Sequence, residues 1–488
     1  MRYKEELEQM AAREAYLRRK YLKPAFAVLC LVLVLLWAAP AAGASSVFYF
    51  PKEFSGMDMN DPSSQWCWQR SMETEHFFIF WEAGFGEDPG GEMVPEAMRV
   101  ETAPLAEAAE SIWQLNAQTL SMFAQPSRLD TCKMQIYLLY TEEWVAAGSG
   151  YDDMIGALWV SPAACKPIGS VIAHEISHCF QYQVYCDQLL GGMADDGLHG
   201  FRYGHGNGNG FWEQCAQWAA FEAYPQEALM GADFAGWPEN NHRAFEHEWT
   251  RYQSYWLPLY WTAYCDENTV SRLWHESRWP EDALSAYLRL YCGGDVERLN
   301  EMLYGYAAHM AAYDLPALQP WRQDKIDTYH TALYDAGGGW QQVGYASCPQ
   351  EGGFNVVKID AAPGAMISVS FEGLAPGSPL APDDPGIWHA EGDEAGVPMA
   401  AGQTDTYNPS DVDPGWRYGF VTLMADGTVQ YGEMHLEKRG IVRETVPEGA
   451  DRVLFVVVGA ADQVVPNPWD EDERTDFQMP YRIRITEK

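Results

Sequence analysis

Apolar and polar residues follow three different patterns along the chain. Near the start of the folded part, HFFIFW at 76–81 and MQIYLLY at 134–140 are continuous apolar runs. Such runs are typical of strands that are buried on both faces. Between them, apolar residues recur at helical spacing over 106–123 and predict one long helix. Its predicted apolar face consists of Ala108, Ile112, Leu115, Thr119 and Met122.

The second pattern begins with MIGALWVSP at 154–162, which predicts a short extended segment. Gly169-Ser170 then opens a further helix. From Phe211 to about Tyr334, tryptophan, tyrosine and leucine recur at helical intervals, so this stretch is predicted to be mostly helical.

The third pattern, of period two, starts after the three glycines at 337–339. Ile367, Val369 and Phe371 alternate with serines, and Asp426-Gly427 falls between two apolar runs as a hairpin turn would. VLFVVVG at 453–459 and YRIRI at 481–485 predict further strands. Together they predict a β-sandwich of roughly 150 residues.

The patterns therefore predict an α+β protein in three parts. Residues 1–44 are a leader, residues 45–335 combine a mixed sheet with helices, and residues 340–488 form the all-β part. In the leader, a basic patch precedes the uncharged apolar run at 25–39, which predicts a secretory signal peptide cleaved near Ser45. An uncleaved signal anchor is the alternative, and it is the only membrane contact that we expect. LRRKYLK at 17–23 also resembles a twin-arginine signal, although general secretion fits the apolar run better.

The net charge of the chain argues against some classes of binding partner. The chain carries 69 acidic residues against 32 lysines and arginines, a formal charge of −37. Nucleic acid is not expected as a partner, because phosphate contacts need a basic face. Acidic clusters at 383–386, 411–415 and 470–476 offer oxygen ligands for Ca²⁺, but none has the spacing of a known calcium loop. A solvated acidic surface is the preferred interpretation.

Ten cysteines occur without any CxxC pair, which argues against a cysteine-ligated zinc site. Nine of them follow the leader. In an exported protein, this odd number predicts some disulfides and at least one free thiol. Cys179 and Cys215 are more simply interpreted as small buried hydrophobic residues.

The sequence SVIAHEISHCFQYQ at 170–183 carries the strongest chemical signal. On a helix, His174 and His178 share a face, so both imidazoles reach one ion while Glu175 projects toward a metal-bound water. Zinc in a catalytic site needs a third protein ligand and an open fourth position. Glu175 would then act as the general base that activates the water. The alternative is that both histidines are structural.

A candidate third ligand lies further along the chain. Position 184 is valine, so the arrangement with a histidine six residues after His178 is excluded. GNGNGFWEQCAQWAAFE at 206–222 runs from a glycine-rich loop into a helix, and Glu213 lies in its first turn. We therefore predict Glu213 as the third ligand, with Glu222 as a rival further along the helix.

These residues carry a family resemblance. HEISH followed by a helix with WEQCAQW resembles the gluzincin class of metallopeptidases, and segments 71–89 and 415–427 resemble secreted bacterial proteins with a zincin-like domain and a C-terminal β-domain. The likeness extends to 154–162, which resembles the sheet edge that pairs with substrate backbone in such peptidases. It implies a zincin-like catalytic domain and zinc-dependent peptide hydrolysis, without identifying a substrate. The expected substrate is a protein or peptide, with a glycoprotein as one alternative. Gln217 departs from the pattern, because many gluzincins carry an acid there.

The resemblance also implies a downstream Tyr or His that stabilises the transition state. HEWTRYQSYW at 247–256 offers His247, Tyr252 and Tyr255, although a tyrosine-rich helix more often reflects core packing. The predicted function is an exported zinc metallopeptidase. The alternative is a cell-surface binding protein with a degenerate zincin domain and a β-domain that binds glycan or protein.

Overall fold

The computed structural model describes most of the chain after the leader. The described residues are 47–123, 126–192, 209–230, 232–278, 280–386, 404–467 and 473–487. The predicted leader lies outside them. So do His199 and His205, which precede Glu213 and which the sequence predicts to be solvent-exposed and not ligands. The described chain is a mixed α+β structure with three sheets and ten α-helices.

The first sheet has five strands in the order β1-β2-β3-β5-β4. They are β1 (Ser71–Glu73), β2 (Phe77–Trp81), β3 (Met134–Leu138), β4 (Ala146–Tyr151) and β5 (Ile155–Val160). β2, β3 and β5 are parallel, and β4 runs antiparallel to β5 at the edge. All residues of β2 and β3 are buried, which confirms the two strands predicted from continuous apolar runs.

The prediction that 154–162 forms the edge of the sheet is wrong. The segment 154–162 forms β5, which lies between β3 and β4, so the edge is β4. β4 contains two glycines and alternates exposed with half-buried residues, which hides it from a search for apolar runs. The alternation is typical of a strand with one solvated face.

The predicted helix over 106–123 is shorter and begins earlier. It is α1 (Thr102–Gln114), followed by a wide π turn over Leu115–Thr119. The wider turn shifts the phase of the helix, and Thr119 of the predicted apolar face is exposed as a result.

The remaining helices build the interior and the second half of this region. They are α2 (Ser170–Leu190), α3 (Asn209–Ala223), α4 (Pro225–Met230), α5 (Ala232–Asn240), α6 (Trp256–Tyr260), α7 (Thr269–Glu276), α8 (Ala283–Tyr291), α9 (Val296–Ala311) and α10 (Arg322–Lys325). α2 begins at the predicted Gly169-Ser170, and most of its residues are buried on all sides. The helix is therefore interior, packed between the first sheet and α3.

Two sheets follow α10. One has the order β11-β10-β13-β8 and the other β12-β9-β14-β7-β6. Their strands are β6 (Leu333–Asp335), β7 (Gln341–Val343), β8 (Phe354–Ile359), β9 (Met366–Gly373), β10 (Trp416–Met424), β11 (Val429–Tyr431), β12 (Arg439–Thr445), β13 (Ala450–Gly459) and β14 (Tyr481–Glu487). The predicted hairpin turn joins β10 to β11, and Gly427 has φ +87°, a conformation that favours glycine. The inward alternation of Ile367, Val369 and Phe371 is also confirmed.

The four-stranded sheet is buried on both faces, which explains the unbroken apolar run at 453–459. Phe455 and Val457 face the five-stranded sheet, whereas Val456 and Val458 belong to the core that includes the helices. One core therefore spans the helices and one face of the four-stranded sheet, and a second core lies between the two sheets. β6 belongs to the all-β region, which starts slightly before the predicted boundary at 340.

The nine cysteines within the described residues are all free thiols, so the expected disulfides do not occur there. Cys179 and Cys215 are buried, in agreement with their interpretation as hydrophobic residues. Among the described residues, none of the helices has the length and apolarity needed to cross a bilayer.

Candidate metal centre

Three side chains from two packed helices meet at one point. His174 and His178 lie one turn apart on α2. Glu213 is the fifth residue of α3, beyond the predicted first turn, because the helix already begins at Asn209. The two imidazole Nε2 atoms are 3.0 Å apart, and Glu213 Oε2 lies 3.1 Å from His174 Nε2 and 3.2 Å from His178 Nε2. Glu213, and not its rival Glu222, is the acid that joins the histidines.

This triangle suits a tetrahedral zinc ion. With bonds of about 2.0–2.1 Å, two ligand atoms on tetrahedral zinc lie about 3.3 Å apart, close to the three separations here. Two nitrogens and one carboxylate oxygen are also a donor set that zinc prefers in catalytic sites. Both histidines are buried and Glu213 is half-buried, so the ligand atoms lie at the base of a partly exposed site.

Two glutamines hold the imidazoles in the orientation that a metal needs. Gln181 Oε1 lies 2.7 Å from His178 Nδ1, and Gln217 Oε1 lies 3.2 Å from His174 Nδ1. The amide nitrogen of Gln181 donates to the Trp212 carbonyl, and that of Gln217 to the Tyr252 carbonyl. Each amide therefore presents its oxygen to Nδ1–H, which leaves the Nε2 lone pair able to bind a metal. Gln217 thus occupies the position at which many gluzincins carry an acidic residue.

Loss of this acceptor should weaken zinc binding without unfolding the protein. The substitution Gln217→Leu removes the acceptor that residue 217 offers to His174 Nδ1–H. We expect zinc affinity to fall by about 10- to 100-fold. Gln217→Glu keeps an acceptor and should bind zinc at least as tightly as the wild type. Competition with a chromogenic chelator measures both constants. A leucine variant with wild-type affinity would show that Gln217 has no role in orienting His174.

The carboxylate of Glu175 is held by the edge strand. Glu175 is buried, and its Oε2 accepts a 2.6 Å hydrogen bond from the backbone N–H of Gly148 in β4. A Cβ atom at position 148 would lie 1.9 Å from the Glu175 carbonyl oxygen, so only glycine allows β4 to approach α2 this closely. Gly148 and Gln181 are the functional residues that sequence reasoning missed.

Electrostatic interactions link the candidate ligands His178 and Glu213. Burial disfavours the charged imidazole of His178, but the hydrogen bond and charge of Glu213, with the charge of Glu175, raise its pKa to about 9. Burial also raises the pKa of Glu213, yet hydrogen bonds from the two histidines outweigh it and hold that pKa well below the usual range. Without metal, a proton on His178 therefore bridges to the Glu213 carboxylate at neutral pH.

Zinc affinity should consequently increase with pH. Zinc needs the neutral imidazole, so binding at pH 7 must release the proton that the raised pKa of His178 retains. We expect affinity to increase about tenfold per pH unit between pH 7 and 9, and to level off above pH 9. Calorimetric titration in buffers of different ionisation enthalpy reports the released proton. Binding that is independent of pH over this range would contradict the coupling.

The structure separates the three candidates for transition-state stabilisation. Tyr252 is half-buried, with its ring centre 6.0 Å from that of His174. Tyr255 is buried in the core, where it contacts Phe221 and Trp256. Of the three, Tyr252 lies beside a predicted metal ligand, His174.

His247 belongs to a different buried cluster. Its Nε2 lies 3.1 Å from Asp476 Oδ2 and 3.2 Å from Arg243 Nη1, and Arg243 pairs with Glu473. His247, Glu473 and Asp476 also have metal-ligating side chains. Because the Arg243 guanidinium already supplies a cation to these acids, the cluster is best explained as a buried ion-pair network.

The structure gives little support to calcium sites at the three acidic clusters. Among the described residues, neither 383–386 nor 411–415 contributes to a group of three converging ligands. Part of the cluster at 470–476 lies outside the described residues, and Glu473 and Asp476 turn inward to Arg243 and His247. Asp384 instead accepts hydrogen bonds from the backbone of Tyr345 and Gly386.

Comparison with known proteins places the chain in a family. Residues 40–488 match the family of unknown function DUF6055, and the chain belongs to that family. No curated protein and no solved structure matches the chain.

Proposed function

We propose that the chain is a zinc-dependent metallopeptidase with a zincin-like catalytic region. The proposal is carried by the convergence of His174 Nε2, His178 Nε2 and Glu213 Oε2 within 3.0–3.2 Å of one another, with Glu175 on the same helix. When bound, zinc supplies a Lewis acid that polarises a carbonyl and makes water acidic at neutral pH.

In this proposal Glu175 is the general base. Its carboxylate accepts a proton from the attacking water and delivers it to the amine that leaves. The hydrogen bond from Gly148 fixes Oε2, so one side of the carboxylate is oriented before substrate arrives. Since Gly148 belongs to β4, the same strand sets the position of the base and borders the site.

β4 also suits a peptide substrate. It lies at the edge of its sheet and pairs with β5 on one side. An edge strand offers backbone groups to which an extended peptide adds as a further strand. A peptide bound along β4 would pass Gly148, and with it the carboxylate of Glu175.

Tyr252 is the residue that we assign to the transition state. Its ring lies beside His174, and the guanidinium of Arg251 lies 4.8 Å from the centre of the same ring. A phenol that donates a hydrogen bond to the developing oxyanion would stabilise it. We further propose that the protein is exported through its leader and acts on proteins or peptides outside the cell, including glycoproteins.

The test is metal analysis combined with cleavage of a peptide library. We expect one zinc per chain and hydrolysis that stops on removal of zinc with 1,10-phenanthroline and returns on its addition. Cleavage that persists after complete removal of metal would refute the mechanism. Stoichiometric zinc without cleavage of any peptide would instead support the alternative, a degenerate zincin domain in a binding protein.

A further inference from the structure

The outer face of the five-stranded sheet carries an unusual concentration of arginine. In β12, β9 and β14, inward residues such as Val369 and Ile483 fill the core, and the alternate residues point outward. The outward residues of these strands are Met366, Ser368, Ser370, Glu372, Arg439, Ile441, Arg443, Thr445, Arg482, Arg484 and Thr486. Four are arginines and one is acidic. We call Arg439, Arg443, Arg482 and Arg484 the arginine face.

This composition is the reverse of the chain as a whole. Acidic residues outnumber lysine and arginine by 69 to 32 over the full sequence. A cationic patch on a strongly anionic protein attracts anions locally while the rest of the surface repels them. The contrast therefore favours a ligand that contacts this face and little else.

The strand pairing gives the face the shape of a trough. β9 lies in the middle and presents the short side chains of Ser368 and Ser370. Ser368 lies opposite Arg443 on one side, and Ser370 lies opposite Arg484 on the other. The floor is lined by hydroxyl groups. The walls present the guanidinium groups together with the side chains of Ile441, Thr445 and Thr486.

One end of the trough is closed and the other is available. Glu372 pairs with Arg439 and with Arg482, each at 2.6 Å, and so bridges the two walls. Arg443 and Arg484 are exposed, and neither has an acidic partner in the described part of the chain. Arg484 is held in place by Trp340, whose ring centre lies 5.0 Å from the guanidinium carbon.

We propose that this face binds a linear polysaccharide that carries carboxylate groups. Guanidinium groups bind carboxylates in a planar, bidentate geometry, and the serine hydroxyls match the hydroxyls of a sugar chain. An extended strand of the sheet offers contacts at intervals of about 7 Å along its length, which suits a repeating linear polymer. Nucleic acid also has repeating anions, but the outward residues of β9, β12 and β14 include no aromatic ring on which a base could stack.

The test uses the purified chain and polygalacturonate as the probe, with neutral dextran, single-stranded DNA and phosphatidylglycerol vesicles as comparison ligands. We expect affinity electrophoresis to show retardation by polygalacturonate that weakens as salt increases. Binding to dextran, DNA or vesicles with equal or greater affinity, or no binding to polygalacturonate, would overturn the proposal.

Paired variants locate the site. Arg443→Ser with Arg484→Ser removes two cations that take no part in the Glu372 ion pairs, and we expect binding to weaken by at least about tenfold. Arg278→Ser with Arg298→Ser makes the same change of charge at two exposed arginines of the helical region, and should leave binding within about twofold of the wild type. Thermal unfolding verifies that both variants are folded. Equal loss in the two double variants would show that total charge, and not the arginine face, governs binding.

Discussion

Replacement of Glu175 by glutamine should abolish peptide hydrolysis while leaving zinc in place. Glutamine has nearly the same shape and still accepts the hydrogen bond from Gly148, so the site keeps its geometry. An amide cannot take a proton from water, and loss of a general base costs about 10²- to 10⁴-fold in rate. The measurement is kcat/KM on the best library peptide, together with the zinc content of the variant.

Glu222→Gln provides the matched control, because Glu222 lies on α3, is exposed and undergoes the same chemical change. This control should retain wild-type activity and zinc. If Glu175→Gln kept activity within about tenfold of the wild type, Glu175 would not be the base. If the variant lost zinc as well as activity, its role would be in building the site.

Replacement of Glu213 by alanine should have the largest effect on metal affinity. Glu213 is the one anionic ligand of the three, and its loss leaves two neutral imidazoles and a partly open coordination sphere. Loss of a group that only orients a ligand already costs about 10- to 100-fold, so loss of the ligand itself should exceed about 100-fold. Competition with a chelator of known affinity measures the change.

The control for this variant is Glu222→Ala, which removes the rival acid from the same helix. We expect its zinc affinity to equal that of the wild type. A Glu213→Ala chain that binds zinc as tightly as the control would mean that another group completes the site. The proposed ligand set would then be wrong even if the protein were a zinc enzyme.

The parts of the structure that could be predicted from sequence are those with one strong physical cause. Continuous apolar runs such as 76–81 form buried strands because both faces are covered, and period-two alternation locates β9. The helical spacing of His174 and His178 brings the two imidazoles together through α2 alone. The prediction of Glu213 depended on a glycine-rich loop that runs into a helix, with Glu213 in its first turn, and on the resemblance to gluzincins.

The features that could not be predicted from the sequence depend on contacts between helices and strands. β4 has no run of apolar residues, because it is an edge strand that contains two glycines. The need for glycine at position 148 becomes visible only from the close approach of β4 to α2. The π turn after α1 changes the helix phase, which simple periodicity does not represent. His247 and Tyr255 resembled candidates by residue type, but tertiary packing places His247 in an ion-pair network and Tyr255 in the core. Gln181 could have been noticed, since it lies three residues after His178 on the same helix.

Anomalous diffraction at the zinc absorption edge, from crystals of the purified chain, tests the central claim most directly. We predict a single strong peak about 2.0–2.2 Å from His174 Nε2, His178 Nε2 and a carboxylate oxygen of Glu213. A peak beside His247, Glu473 and Asp476 instead, or no peak in zinc-supplemented crystals with an ordered site, would contradict the account.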